Sequence, residues 1–184
     1  MVAYLAGHGI AGLSLRPLAR SLGHSTYVLT HHFATKDDLV AAVLDHLDRR
    51  QRERLRAFHA KAGDRPLGEV IRASWRWHLD EDLPLVRLLH EIEGLAAAGR
   101  LRGPSVSRML ADRAAFVAGV LASHGVPAEV AERNATFLNA AYAGLQTDYL
   151  TTGDRERVEA ALEQLIALAE AWTRPHPGPT PPPP

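Results

Sequence analysis

The chain has 184 residues, and its 21 lysines and arginines are balanced by 21 aspartates and glutamates. This length allows a buried core in one or two domains, and the absence of cysteine excludes a disulfide framework and cysteine metal sites. A net charge of zero argues against a highly charged nucleic-acid coat, but not against a groove reader whose few basic groups share one face.

The sequence shows no membrane or export signal. No apolar run reaches the length that spans a bilayer, and the N-terminus lacks a charged region followed by an apolar one. We therefore expect a cytoplasmic protein with no membrane partner.

The N-terminal quarter predicts three short helices. Residues 1–8 indicate the end of a helix with Val2 and Leu5 inward. Ser14 is suited to cap a second helix that stops at Gly23, a residue favoured at helix C-termini. Ser25 is suited to cap a third.

The third helix has an inner and an outer face. Leu29 and Phe33 are four residues apart and are predicted to face inward. This arrangement exposes small polar and aromatic residues, namely Thr26, Tyr27, Thr30 and His31. A short helix of this kind, held at an angle by its predecessor, can lie in a DNA major groove.

A long helix is predicted from Thr35 to about residue 60. Asp38 lies three residues after Thr35, as in a capping box. An apolar stripe from Leu39 to Leu47 is followed by a run rich in arginine from Arg49 to Arg56. This run is either a solvated helix face or an electrostatic contribution to DNA attraction.

The remainder predicts further helices over residues 67–79, 84–98 and 106–125. Another helix is predicted to begin at Pro127, and a last one follows the break at Gly153-Asp154 and ends at Trp172. No segment alternates with period two, so the expected fold is all-α with about nine helices. The last segment, residues 175–184, is mostly proline and should be an extended, disordered tail.

Residues 9–44 resemble the helix-turn-helix of the TetR family of transcriptional repressors, without a gap. The matching features are Gly9, Gly12-Leu13-Ser14-Leu15-Arg16, Leu18-Ala19, Leu22-Gly23, Ser25, Leu29, His32-Phe33 and Lys36-Asp37-Asp38-Leu39. The resemblance implies a helix-turn-helix head over residues 1–47 and a ligand-binding and dimerisation bundle over residues 48–173, followed by the tail from 174 to 184. The first helix of the family usually begins earlier, so this chain would start inside it.

The resemblance also implies which residues meet DNA. By position, Thr26, Tyr27 and Val28 would face bases, and Arg16 would reach a guanine or a phosphate. The remaining candidates would contact the backbone or cap helices beside it: Ser14, Ser25, Thr30, His31, His32 and Lys36. Threonine at position 30 departs from the tyrosine usual in the family, and its shorter reach lowers the expected affinity.

The helical body should contain an apolar pocket between helices. Its candidate walls are Trp75, His78, Leu89, His90, Phe116, Phe137 and Tyr142, although each fits an ordinary core equally well. Such walls favour an apolar or aromatic effector. The histidines show no strong metal-binding pattern, and no cofactor is expected.

Small residues on the penultimate helix, from Ala140 to Leu145, permit close helix approach. In the resembling family this helix and the last one form a four-helix bundle with their counterparts in a second subunit. A two-fold dimer would engage two half-sites of a palindromic operator. The other interpretation is that these helices pack only within the monomer.

The sequence therefore indicates a ligand-responsive DNA-binding regulator, with repression of transcription as the expected mode. The alternative is a small-molecule or protein-binding module on the same scaffold that has lost operator binding. The neutral charge of the head and Thr30 favour this alternative. An enzyme is not expected, because no catalytic constellation appears.

Overall fold

The computed structural model describes residues 2–10, 12–33, 35–101 and 103–174. Within these residues the chain is helical and contains no strand, which confirms the all-α prediction. The α-helices are α1 Val2–His8, α2 Leu15–Ser21, α3 Thr26–His32, α4 Lys36–Ala62, α5 Leu67–Arg76, α6 Leu83–Ala97, α7 Ser105–Ser123, α8 Ala128–Thr152 and α9 Arg155–Trp172. A π-helical turn, Trp77–Glu81, follows α5. The predicted tail lies outside the described residues.

Contacts divide the chain into two compact units. Unit 1 contains Met1–Asp64 and Arg72–Arg113, and unit 2 contains residues 65–71 together with the described residues from 114 onward. Helices α5 and α7 each contribute to both. The predicted boundary at residue 47 separates a DNA-binding head from a ligand-binding and dimerisation bundle, and it stays a prediction.

One hydrophobic core joins the N-terminal helices of unit 1 to α6. The apolar stripe of α4 forms its centre, with Leu39, Val43 and Leu47 almost fully buried. The other buried members are Leu5, Ile10, Leu13, Leu18, Ala19, Val40, Leu44, Leu85, Leu88, Leu89, Ile92, Val106 and Met109. Because α1 and α6 pack against each other, the N-terminal helices share their core with the helix that follows the π-turn.

Unit 2 is organised by the packing of α8 on α9. Helix α9 buries an apolar stripe that includes Val158, Leu162 and Ile166. Gly68, near the start of α5, lies so close to α9 that a Cβ there would meet the Ile166 side chain at 2.8 Å. The turn between α8 and α9 is made by Gly153, whose left-handed φ of 73° ends α8.

Two predictions about these helices were wrong. The helix expected to run to residue 79 is α-helical only to Arg76, because periodicity over five residues cannot distinguish an α-turn from the wider π-turn. On α8, Phe137 was expected to face inward and is instead 51% exposed. The buried positions of α8 are Ala131, Ala135, Leu138 and Gln146.

Candidate DNA-binding face and ligand cavity

The turn between α2 and α3 is fixed by backbone hydrogen bonds. Gly23 has a φ of 70°, which costs glycine little. The His24 N–H donates to the Ala19 carbonyl at 2.9 Å and the Gly23 N–H to the Arg20 carbonyl at 3.2 Å, as in a Schellman motif. This motif sets the direction in which α3 leaves α2.

Side chains fix the starts of α3 and α4. The Val28 N–H donates to Ser25 Oγ at 3.4 Å, a long capping bond. At α4, Thr35 Oγ1 accepts from the Asp38 N–H at 3.1 Å, and the Thr35 N–H donates to Asp38 Oδ2 at 3.0 Å, which confirms the predicted capping box. Ser14 occupies the cap position of α2 but makes no side-chain capping bond, contrary to expectation.

The outer face of α3 carries aromatic side chains. Tyr27 is 77% exposed, and Val28, His31 and His32 are also exposed. The rings of Tyr27 and His31, one helical turn apart, stack at 6.2 Å between centroids. Thr26 was expected to be exposed but is half-buried. An exposed aromatic pair of this kind can lie flat against sugars or a thymine methyl group.

Three of the other predicted DNA contacts have described side chains. Ser14, Arg16 and Ser25 are exposed, as such contacts require. The side chains of Thr30 and Lys36 lie outside the described part of the chain. Phe33 is half-buried and packs against the core, as expected for the residue that ends the inner face of α3.

The loop between α1 and α2 is attached to α6 by a carboxylate. The Ile10 N–H donates to Glu91 Oε1 at 3.1 Å. The preceding residue, Gly9, has a φ of 70°, and a Cβ there would meet the Glu91 carboxylate oxygens at 2.7 Å. Glycine is therefore favoured at position 9 both for its backbone angle and for the close approach of Glu91.

A small cavity, with room for about one water molecule, lies within unit 1 between α4, the π-turn and α6. Its walls are Gln51, Arg54, Trp77, His78, Asp82, Leu85, Val86 and Leu89. Arg54 pairs with Asp82 at 2.7 Å, and its guanidinium lies 4.9 Å from the centroid of the Trp77 ring. Trp77 also stacks on Phe58 of α4 at 5.4 Å. The π-turn thus brings an indole against two successive turns of α4.

His78 is held uncharged in the cavity wall. Burial lowers the pKa of His78 to about 4, and the nearby Arg113, Arg54 and His90 act in the same direction. A hydrogen bond with the backbone of Ser74 opposes the shift. His78 Nδ1 and Ser74 Oγ are 3.3 Å apart. At neutral pH the cavity therefore carries a neutral imidazole.

The structure gathers some of the predicted ligand residues and separates others. His78 and Leu89 line the cavity, whereas Trp75 is almost fully buried and His90 is half-buried outside the lining. Phe116, Phe137 and Tyr142 belong to unit 2. The role of each in ligand binding stays a prediction.

Sequence reasoning missed several polar walls of the cavity. The run from Arg49 to Arg56, which contains Gln51 and Arg54, was interpreted as a solvated face or as a contribution to DNA attraction, and Trp77 was not among the predicted walls. Only the four-residue spacing of Arg54 and Phe58 could have indicated that one face of α4 receives an aromatic ring. Two arginines of the run are in fact paired: Arg54 with Asp82, and Arg52 with Asp48 and Asp112.

The described residues form neither a metal site nor a membrane span. In that part of the chain, no three His, Asp or Glu side chains form a group that could hold a metal ion. None of the described helices combines the length and apolar character needed to cross a membrane.

Comparisons with known proteins agree with this architecture. The sequence model of a family described as bacterial regulatory proteins, tetR family, matches residues 2–43. No curated protein gave a significant match. A solved structure assigned to the TetR-family transcriptional regulators, from Rhodococcus sp., is 20% identical with a TM-score of 0.70 and coverage of 94% of both chains. A second, a transcriptional regulator from Rhodococcus sp. Rha1, is 26% identical with a TM-score of 0.72, covering 91% of this chain and 90% of that one.

The family match falls on α1, α2, α3 and the start of α4, the helices that carry the exposed aromatic face. The structural matches extend the likeness over nearly the whole fold. Together they show that residues 2–43 match the DNA-binding segment of the tetR family of regulatory proteins and that the fold of the chain is similar to that of TetR-family transcriptional regulators.

Proposed function

We propose that this chain is a ligand-responsive transcriptional repressor that binds a palindromic operator as a homodimer and is released by a small molecule. The observation that carries the proposal is the outer face of α3. Tyr27 is 77% exposed there, Val28 and His31 lie beside it, and α3 itself is fixed by its Schellman turn. A rigid short helix that presents exposed side chains is the geometry of a major-groove reader.

The proposed contacts divide into two kinds. Tyr27 and Val28 meet base edges, with Thr26 at their side, while Arg16 contacts a guanine or a phosphate. Ser14, Ser25, Thr30, His31, His32 and Lys36 position the head on the DNA backbone. Because α3 contains no lysine or arginine, apolar and hydroxyl contacts carry more of the specificity than guanidinium forks do.

The proposed dimer forms through the outer sides of α8 and α9. Phe137 is 51% and Leu168 42% exposed, and the Phe137 ring meets Trp172 edge-on at 6.1 Å. Ala140 and Gly144 follow Phe137 along the exposed side of α8. Apolar side chains beside small residues would allow two copies of this helix pair to approach closely.

Two connections within unit 1 support a response to ligand. Gln51 and Arg54, which line the cavity, belong to α4, and α4 begins directly after α3. Helix α6, which supplies Leu89 to the cavity, holds the α1–α2 loop through Glu91 and the Ile10 N–H. A ligand with different affinity for two arrangements of these helices would change the affinity for DNA.

The proposal is tested by selecting sites from a random-sequence DNA library with the purified full chain. We expect enrichment of a two-fold symmetric sequence, whose central base preferences are lost with Tyr27→Ala and kept with Tyr149→Ala, a change outside the head. Enrichment of no sequence by the wild-type protein would favour the alternative, a binding module without an operator.

A further inference from the structure

The segment that carries the proposed DNA-binding face contains more histidine than fixed charge. The first 35 residues include no aspartate or glutamate, two arginines and four histidines. Both arginines, Arg16 and Arg20, belong to α2, and α3 has neither lysine nor arginine. Histidine is the side chain whose ordinary charge change falls between pH 5 and pH 8. The positive side-chain charge of this segment therefore rises in acid, from the two arginines alone towards the arginines and four histidines together.

Two of these histidines lie side by side in the last turn of α3. His31 and His32 are both exposed, and their rings meet edge-on at 5.6 Å between centroids. The His31 ring also stacks on the exposed ring of Tyr27, one turn earlier, at 6.2 Å. The imidazole of His31 therefore lies beside a side chain that is proposed to meet base edges.

Charged and titratable groups of both signs surround α3. Helix α2, which packs against α3, carries Arg16 and Arg20, and His24 is exposed in the turn between the two helices. At the start of α4, Asp38 Oδ2 accepts hydrogen bonds from the Thr35 N–H and hydroxyl at 3.0 and 2.8 Å. The side chains of two further charged residues of α4 lie outside the described part of the chain: Lys36 and Asp37. The carboxylate of Asp38 is thus engaged in the capping box.

The closeness of the two imidazoles couples their charge to the presence of DNA. Two positive charges this close repel each other, and a phosphate beside them offsets the repulsion. A neutral imidazole has one N–H donor, whereas the protonated ring has two and forms charge-assisted hydrogen bonds, which are the stronger kind. Contact with a phosphate therefore favours the charged form of His31 and His32.

We propose that His31 and His32 bind the DNA phosphate backbone in their protonated form, so that operator affinity rises as the solution is acidified from pH 8 to pH 6. The pair supplies the charge that α3 lacks in lysine and arginine. This regulation by pH rests on the proposed function, because it acts through the DNA-binding face of α3.

The test is fluorescence anisotropy of the full chain with its selected operator, at pH 8 and pH 6, over a series of salt concentrations at each pH. We expect affinity at fixed salt to rise at least about tenfold on acidification, because two subunits contribute four histidines. The slope of log K against log salt should also steepen, since each added phosphate contact contributes roughly 0.9. The buried His78, with a pKa of about 4, stays uncharged over this range.

The decisive variant combines His31→Gln with His32→Gln, which keeps hydrogen-bonding side chains but removes the titrating charge. It should lose most of the gain in affinity and of the steepening of the salt slope. The matched control is His59→Gln on α4, which should keep both. His31→Lys supplies a permanent charge, so it should bind more tightly than the wild-type protein at pH 8 and gain less on acidification. Misfolding cannot explain such a gain.

The outcomes for this proposal and for the proposed function are separated by repeating the titrations with scrambled DNA, because phosphate contacts do not depend on base sequence. Acid-strengthened binding that is equal for both DNAs, with a steeper salt slope, would contradict the repressor proposal and support the histidine contacts. Selective operator binding that is the same at pH 8 and pH 6, a salt slope that does not change with pH, or an unchanged gain in the double glutamine variant would each overturn the histidine proposal alone.

Discussion

Burial keeps His78 uncharged in mildly acidic solution, where the unfolded chain would protonate it. The surrounding charged and titratable groups are Arg54, Arg113 and His90, with Asp82 in the same cavity wall. The pKa of His78 is about 4 in the folded protein against an ordinary value near 6.5. Between pH 6.5 and pH 4 the unfolded chain therefore binds a proton that the folded chain does not. The stability of the fold consequently decreases as the pH is lowered through this range.

We expect His78 to cost about 2 kcal/mol of stability between pH 7 and pH 5, since each pKa unit corresponds to about 1.4 kcal/mol. Urea unfolding at both pH values measures this loss. His78→Asn should reduce the pH dependence by that amount, while His24→Asn, at an exposed position, should leave it intact. Identical pH dependence in the wild-type protein and His78→Asn would contradict the assignment.

Gly9 is constrained both by its positive φ and by the Glu91 side chain, and a comparison with Gly99 separates these two causes. Gly9 and Gly99 have nearly equal φ values, 70° and 68°, but only Gly9 has a side chain, that of Glu91, where a Cβ would lie. A substitution at Gly99 tests the backbone angle alone. The same substitution at Gly9 adds the displacement of Glu91 from the Ile10 N–H.

We expect Gly99→Ala to destabilise the protein by about 1 kcal/mol and Gly9→Ala by about 1 kcal/mol more, through the lost hydrogen bond. In a Glu91→Ala background the two glycine substitutions should cost the same. Urea unfolding measures each value. If both substitutions cost the same already in the wild-type background, Glu91 is not the constraint at position 9.

At the level of elements, caps set where the helices of the head begin. Ser14 and Thr35 are both favourable N-cap residues in sequence, but only Thr35 makes its capping bonds. N-cap preference indicates which residue begins a helix. Whether its side chain makes the capping bond depends on its rotamer, and the rotamer depends on neighbouring residues whose positions the sequence does not give. The sequence therefore predicted the start of α4 fully and that of α2 only by position.

Thr35→Ala should destabilise the protein by about 1 kcal/mol, because the Asp38 N–H loses its acceptor. Ser14→Ala should cost much less, since the serine side chain makes no capping bond. Both are measured by urea unfolding. A cost for Ser14→Ala as large as that for Thr35→Ala would show that the two caps are equivalent in solution.

The helical period explains the other successes and failures at this scale. The stripe of α4 was predicted because its apolar residues bury against one hydrophobic core. On α8, small residues occur around the whole circumference, so the period was ambiguous and Phe137 was assigned to the wrong side. The π-turn that places Trp77 on α4 has no apolar period that the sequence could reveal. The polar walls of the cavity, which depend on this turn, were therefore not predicted.

For the whole molecule, assembly decides whether two recognition helices can act together. Phe137 and Leu168 are exposed in the monomer. Exposed apolar side chains on α8 and α9 are expected if these helices contact a second copy of the chain. A sequence reveals apolar residues on a helix but not which of them a monomer covers. The structure identifies the uncovered ones and thus sharpens the dimer proposal.

We expect Phe137→Glu to convert the protein to a monomer and to weaken DNA binding, because it places a charge in the proposed interface. Leu110→Glu is the matched control, since Leu110 is 39% exposed on the first half of α7. Sedimentation equilibrium measures the association of each. A dimer that persists in Phe137→Glu with unchanged affinity would place the interface elsewhere.

The central claim, that this chain reads DNA, is tested most directly by fluorescence anisotropy of the full chain with labelled DNA from its own upstream region. Scrambled DNA is the control, and the titration is repeated over a series of salt concentrations. We expect tight, sequence-selective binding with two subunits per site, and an affinity that falls steeply as salt rises, because contacts to phosphates release counterions. Weak binding that is the same for both DNAs would contradict the claim.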